Sequence, residues 1–171
     1  MPTIISHPAI VLAVRPFFRM RPSTYVIGGL CSILPDIDVL GFGFGIHYGD
    51  VFGHRGFTHS LFFAALVSFI LSRFLWKSSD IKRLPLFLFL FCCLVSHGVL
   101  DAFTDGGLGI AFFSPVSNVR YFFPWRPLEV SPIGLADFLS GPALQVLKSE
   151  LIFVWLPCIA LFVIGILLRR K

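Results

Sequence analysis

Charge is what this chain has least of. Asp, Glu, Lys and Arg make up 13% of its 171 residues, hydrophobic types make up 56%, and the mean hydropathy is +0.87. Soluble domains carry about 25% charged and 45–50% apolar residues, so a water-soluble enzyme is excluded and an integral membrane protein is expected. Paired thiols are also missing. Cys31, Cys92, Cys93 and Cys158 stand in apolar runs without Cys-x-x-Cys spacing, which argues against a disulfide framework or a thiolate zinc site. They read as small buried hydrophobes. No basic region precedes the first apolar run, since Arg15 comes after residues 4–14. A cleavable signal peptide is therefore not expected, and Met1 or Pro2 should remain at the start. Internal repeats and low-complexity tracts are absent, so one domain over residues 1–171 is expected.

What is present is a set of long apolar segments. Residues 58–76 and 84–103 are each about 20 residues long, enough for a helix to cross a bilayer core, and 151–168 is slightly shorter. Residues 4–14 and 23–34 are shorter still and suit half-helices or tilted members of a bundle. Pro16 and Pro22 punctuate the link between them, and Pro35 closes the second. Ten of the fourteen basic residues fall in three clusters: Arg15/Arg19/Arg21, Arg73/Lys77/Lys82/Arg83 and Arg169/Arg170/Lys171. Placing all three on the cytoplasmic side gives about five crossings, with the N-terminus outside and the C-terminus inside. The expected architecture is an all-α integral membrane helical bundle. On the non-cytoplasmic face lie a Gly-rich loop, 39–57, and a long loop, 105–150, of the length that often forms a lid over a site.

The scarce polar residues are not scattered. His7, Asp36/Asp38, His54/His59 and His97/Asp101/Asp105 all fall toward the same non-cytoplasmic face in this topology. Ionisable groups near lipid are costly, which makes such a cluster a functional-site hypothesis. Imidazole with carboxylate is a ligand set that suits zinc and other divalent first-row ions. His97 and Asp101 are spaced i, i+4 and share a helix face. His54 and His59 straddle the start of the third segment, where Thr58 either caps the helix or orients a ligand. Asp36 and Asp38, both turned inward, would repel unless a cation or proton lay between them. His47 stands alone in the Gly-rich loop and is left out. Arg55, Arg120, Arg126 and Lys148 break the charge rule on that face, and the forked donors of the three arginines suit phosphate oxygens.

Pro35-Asp36-Ile37-Asp38, His54-Arg55-Gly56-Phe57-Thr58-His59-Ser60 and Ser96-His97-x-x-x-Asp101-x-x-Thr104-Asp105-Gly106-Gly107 resemble a bacterial inner-membrane family of metal-dependent hydrolases that includes the YdjM-like proteins. Arg120-Tyr121-Phe122-Phe123-Pro124-Trp125-Arg126-Pro127 fits the same pattern. The resemblance implies metal binding by the His and Asp positions, hydrolysis as the reaction, and a multi-pass inner-membrane location. The family's LexA-binding label implies a regulatory association, which no residue here explains. More distantly, the pattern is similar to the all-helical zinc phospholipase C and P1 nuclease group, which hydrolyses phosphate esters at a multi-zinc site. In that group the freed N-terminal residue also binds metal, whereas this chain is expected to keep its start, which leaves the metal count open.

Together these features favour a membrane-bound, metal-dependent phosphoesterase acting on a lipid or lipid-linked phosphate substrate. His7, Asp36, His54, His59, His97 and Asp101 are the expected ligands of a divalent ion, zinc first. Asp105 or Asp38 is expected to take the proton, and Arg55, Arg120 and Arg126 to hold the phosphate. Direct nucleic-acid binding is not expected. A metal or proton transporter and a non-catalytic adaptor or sensor are the rival readings. The former would need a polar path toward the cytoplasm, which residues 61–71 and 86–93 hardly offer. The topology makes a direct prediction: a thiol placed at Asn118 should react with an impermeant reagent outside intact inner membranes. Labelling that requires permeabilisation would invert the topology.

Overall fold

The structure, a computed structural model, describes residues 1–169. Arg170 and Lys171, two members of the third basic cluster, lie outside the described residues. The all-α class holds: the regular elements are α1 (His7–Ala13), α2 (Pro22–Ile33), α3 (Leu61–Leu75), α4 (Arg83–Ala102), α5 (Leu135–Leu139), α6 (Ala143–Glu150) and α7 (Leu156–Arg169). Tighter 3-10 segments occupy Arg15–Phe17, Leu34–Phe44 and Phe57–His59.

Three continuous helical stretches are long and apolar enough to cross a membrane: Pro22–Phe44, Arg83–Ala102 and Ala143–Arg169. The second expected segment is therefore longer than its apolar core suggested, because the 3-10 run prolongs α2 past Pro35. α3 is a shorter apolar helix of 15 residues. At 7 residues α1 rises only about 10 Å, a half-helix that cannot cross a core of about 30 Å alone.

α4 is the axis of the bundle and packs against α1, α2 and α3, while α7 lies against α1. Leu86, Leu90, Cys93 and Leu94 of α4 are buried with Val11, Tyr25, Cys31 and Ala64 from its three neighbours. This apolar core occupies the half of the bundle below His97. The polar residues are thereby confined to one end.

The long loop differs from expectation at its C-terminal side. Residues 143–150 are helical and run through a π-helical turn, Leu151–Trp155, into α7. Val146, Ser149 and Glu150 of this stretch face inward. The rest of the loop lies over the site end. Ala111 N–H donates to the Arg55 carbonyl, Leu61 N–H to the Phe112 carbonyl and Ser131 N–H to the Met1 carbonyl.

Glu150 is fully buried and ties the N-terminal segment to α6. Its carboxylate accepts from the Thr3 backbone N–H, from Thr3 Oγ1 at 2.6 Å and from Ser6 Oγ at 2.6 Å. Trp155 Nε1 in turn donates to Ser6 Oγ at 2.9 Å. These bonds fix the residues just before His7. Hydrogen bonds to a charged group contribute about 1.5–3 kcal/mol, and stranded buried donors cost more. Glu150→Ala should therefore lower stability by about 3 kcal/mol, with Glu150→Gln intermediate. Thermal unfolding of the purified variants measures this, and an unchanged midpoint would refute the anchoring role.

Candidate metal centre

The 3-10 geometry after α2 separates two aspartates that an extended chain would place on alternate residues of one strand. A 3-10 helix has about three residues per turn, so positions two apart point in different directions. Asp36 turns toward α4, where its Oδ1 lies 3.2 Å from His97 Nε2. Asp38 turns toward the 54–59 segment, where its Oδ1 lies 2.8 Å from His54 Nδ1. The repulsion anticipated between them is relieved by this divergence.

His59, at the end of the 3-10 turn Phe57–His59, approaches from the third side. Its Nε2 lies 3.0 Å from His97 Nε2, 3.6 Å from Asp36 Oδ1 and 3.5 Å from Asp101 Oδ2. One ligand atom each from Asp36, His59, His97 and Asp101 lies within 4.8 Å of all the others. His7, from the start of α1, stacks on His97 with ring centroids 3.8 Å apart, and its Nε2 is 3.9 Å from Asp101 Oδ1. Asp38, His54 and His59 form a second, adjoining group of the same kind.

The tautomers follow from the outer partners. His97 Nδ1 is 2.8 Å from the Ser32 carbonyl, which can only accept, so this nitrogen carries the proton. Thr58 Oγ1 donates its one proton to Asp38 Oδ2 at 2.6 Å, so it accepts from His59 Nδ1 at 3.1 Å. Asp38 Oδ2, 3.2 Å from the same nitrogen, enforces that choice. In the neutral rings both Nε2 atoms therefore present lone pairs, and they face each other and two carboxylates. Both oxygens of Asp36, both oxygens of Asp101 and both nitrogens of His7 are buried without a hydrogen-bond partner. Acceptors gathered this closely, away from water, repel unless a cation or proton lies among them.

The donor set fits a divalent ion. Two imidazoles and two carboxylates match zinc's preference, and ligand bonds of about 2.0–2.2 Å in a tetrahedron require neighbouring donors somewhat over 3 Å apart. Asp38 then plays the outer role common at such centres, orienting His59 through its other nitrogen. Thr58 does not cap α3. Ser60 does, accepting from the Phe63 N–H at 3.0 Å, which frees Thr58 for Asp38.

The arginines occupy other positions. Arg55 is fully buried, with a left-handed backbone at φ 64°. Its Nε is 3.3 Å from Asp101 Oδ2, while Nη1 donates to the Gly106 carbonyl and Nη2 to Thr104 Oγ1. It thus holds Asp101 and the start of the long loop, with its donors engaged by the protein. A Cβ on Gly107, where φ is +87°, would sit 2.6 Å from Arg55 Nη1, which explains the glycine there. Arg120 is half-buried and donates to the carbonyls of His54, Tyr48 and Asp50, joining the two loops. Arg126 is exposed over the Phe122 ring, and Asp105 is exposed and accepts from the Val130 N–H. His47 pairs with Asp50 at the surface.

Two participants had no signature in the sequence alone, the Ser32 carbonyl and Met1; Thr58, for which the sequence left capping and ligand orientation open, takes the second role. Burial holds the Met1 α-amino group at a pKa of about 6, below its usual 8.0, against the opposing charge of Asp101.

Comparison with known proteins places the chain in a family. The family described as YdjM inner membrane protein matches residues 4–171. Inner membrane protein YbcI of Escherichia coli (strain K12) is 40% identical over 177 residues, covering 100% of this chain and 99% of its own. No solved structure matches. The chain therefore belongs to the YdjM inner membrane protein family, and the apolar helices agree with an inner-membrane location.

Protein purified without added metal should carry a divalent ion, and His97→Ala should lose it while Thr58→Ala keeps most of it. Elemental analysis after identical purification decides. Equal metal in wild type and His97→Ala, or none in either, would leave a proton between His59 and His97 and remove the metal centre.

Proposed function

We propose that the protein is a membrane-embedded, metal-dependent hydrolase that cleaves a phosphate ester of a lipid or lipid-linked substrate at the non-cytoplasmic membrane surface. The observation that carries this reading is the convergence of the His59 and His97 Nε2 atoms with the carboxylates of Asp36 and Asp101 in a buried site. Asp36, His59, His97 and Asp101 would hold a divalent ion, zinc being the best match, with His7 beside them. When bound, such an ion supplies Lewis acidity, polarising a phosphoryl oxygen and lowering the pKa of water.

The remaining roles belong to the chain's own side chains. Asp38 fixes the proton on His54 Nδ1 across 2.8 Å, so His54 Nε2 is available to accept a proton from attacking water. Asp38 thus assists proton transfer through His54, whereas Asp105 sits at the exposed rim. Arg120 and Arg126, from the loop over the site end, are the cations nearest to solvent for a phosphate to meet first. Arg55 keeps Asp101 in place. The position of the cluster at one end of an apolar bundle suits a substrate whose tails stay in lipid while its headgroup enters. The apolar packing of Leu86, Leu90 and Leu94 beneath it supports hydrolysis over transport.

Phosphate release from phosphatidic acid and from a polyprenyl monophosphate, assayed in detergent, tests the reading. Activity should vanish with chelator and return with zinc. His54→Gln should lower kcat by about 10²–10⁴-fold while metal is retained. Fully loaded protein that releases no phosphate from either lipid would overturn the hydrolase reading without touching the metal centre.

A further inference from the structure

Far from the cluster, two hollows between α1 and α7 join around the same side chains. The upper one, about 270 Å³, is lined by Ala9, Leu12, Ile159 and Phe162 among others. The lower one, about 340 Å³, is lined by Pro16, Phe162 and Ile166 and flanked by Arg15 and Arg169. Arg15 and Phe162 border both, so they form one groove with an apolar wall and a doubly cationic mouth. The mouth lies at the opposite end of α1 from His7, about 12 Å along the helix axis.

Local packing brings the two arginines together. A Cβ on Gly165 would lie 2.7 Å from the Phe17 ring and 2.8 Å from Pro16, so only glycine lets α7 meet the Arg15–Phe17 turn this closely. Arg169 follows four residues later and shares that face of α7. Among the described residues neither arginine makes an ion pair; Arg15 lies 5.8 Å from the Tyr25 ring centroid. Two guanidinium groups above an apolar groove at membrane depth complement a phosphate attached to an acyl chain.

We infer that this groove is a binding site for an anionic phospholipid at the end of α1 away from the metal centre. The phosphate sits between Arg15 and Arg169, and one acyl chain lies along Leu12, Ile159 and Phe162. The bound lipid clamps α7 to α1, and through α1 it steadies the helix that carries His7. The site is independent of the proposed hydrolysis. The cluster Arg73, Lys77, Lys82 and Arg83 provides a contrast, because it is more basic but Trp76 is the one apolar side chain lining its hollow.

The test uses full-length protein in phosphatidylcholine nanodiscs with and without phosphatidylglycerol, read by thermal unfolding and by analysis of lipid retained on detergent extraction. Phosphatidylglycerol should raise the unfolding midpoint and be retained selectively. Arg15→Gln and Arg169→Gln should each weaken the effect about fivefold, and Lys77→Gln with Arg83→Gln should leave it unchanged. Arg169→Lys, which keeps the charge and disturbs packing least, should fall between wild type and Arg169→Gln. Equal loss in the Lys77/Arg83 variant would reduce the effect to general charge attraction and overturn the site. Stabilisation by inorganic phosphate alone, to the same extent, would show an anion site without a lipid and overturn it as well.

Discussion

The structure turns on four acceptors that face one another in a place water does not reach. His59 Nε2 and His97 Nε2 are 3.0 Å apart, and the oxygens of Asp36 and Asp101 close around them. Left alone, such an arrangement is unfavourable, and the surrounding structure is organised to hold it. The Ser32 carbonyl fixes one ring, Thr58 with Asp38 fixes the other, and Arg55 holds Asp101. These partners come from α2, the 3-10 run after it and the 54–59 segment. The 3-10 run after α2, the loop with a left-handed residue at Arg55 and the covering loop all serve the same few atoms.

The gross fold was legible because the bilayer leaves few choices. Backbone polar groups in lipid must be satisfied within the segment, so long apolar runs become helices. The shortness of α1 could be read from its length and from Pro16. The 3-10 continuation to Phe44 could not, because Gly41 and Gly43 look like loop residues until the pairing of their backbones is known. The helical start of α6 was hidden for a related reason. Its inward face carries Val146, Ser149 and Glu150, and a buried carboxylate reads as solvent-facing unless its partners, here Thr3 and Ser6 almost 150 residues away, are in view.

The site residues were legible by type and only partly by role. His59, His97, Asp36 and Asp101 could be grouped because ionisable side chains next to apolar runs have few reasons to be there. Which arginine faces the solvent was not readable. Arg55, Arg120 and Arg126 differ in burial and partners, not in local sequence character. Arg55 is enclosed because Gly106 and Thr104 offer it oxygens and Asp101 offers it a charge. Likewise Asp38 and Asp105 have similar neighbours in sequence, yet one is held by two imidazoles and the other by a backbone amide at the surface.

Charge balance explains why the outer and inner groups belong to one unit. Asp36, Asp38 and Asp101 are buried around one buried guanidinium, that of Arg55, which pairs with Asp101 while the Arg55 backbone N–H donates to Asp38. With the imidazoles neutral, three carboxylates against one cation leave two negative charges. Buried unpaired charge costs several kcal/mol per ion. Protonating one imidazole would remove one of the two and leave the other; a divalent cation removes both. The Nε2 lone pairs then have a partner, and the carboxylates face a charge instead of each other. Arg55 fits the same logic: by offsetting part of the negative charge it permits three aspartates where a divalent ion alone would balance two. That is a role for a buried arginine in setting the charge of the site.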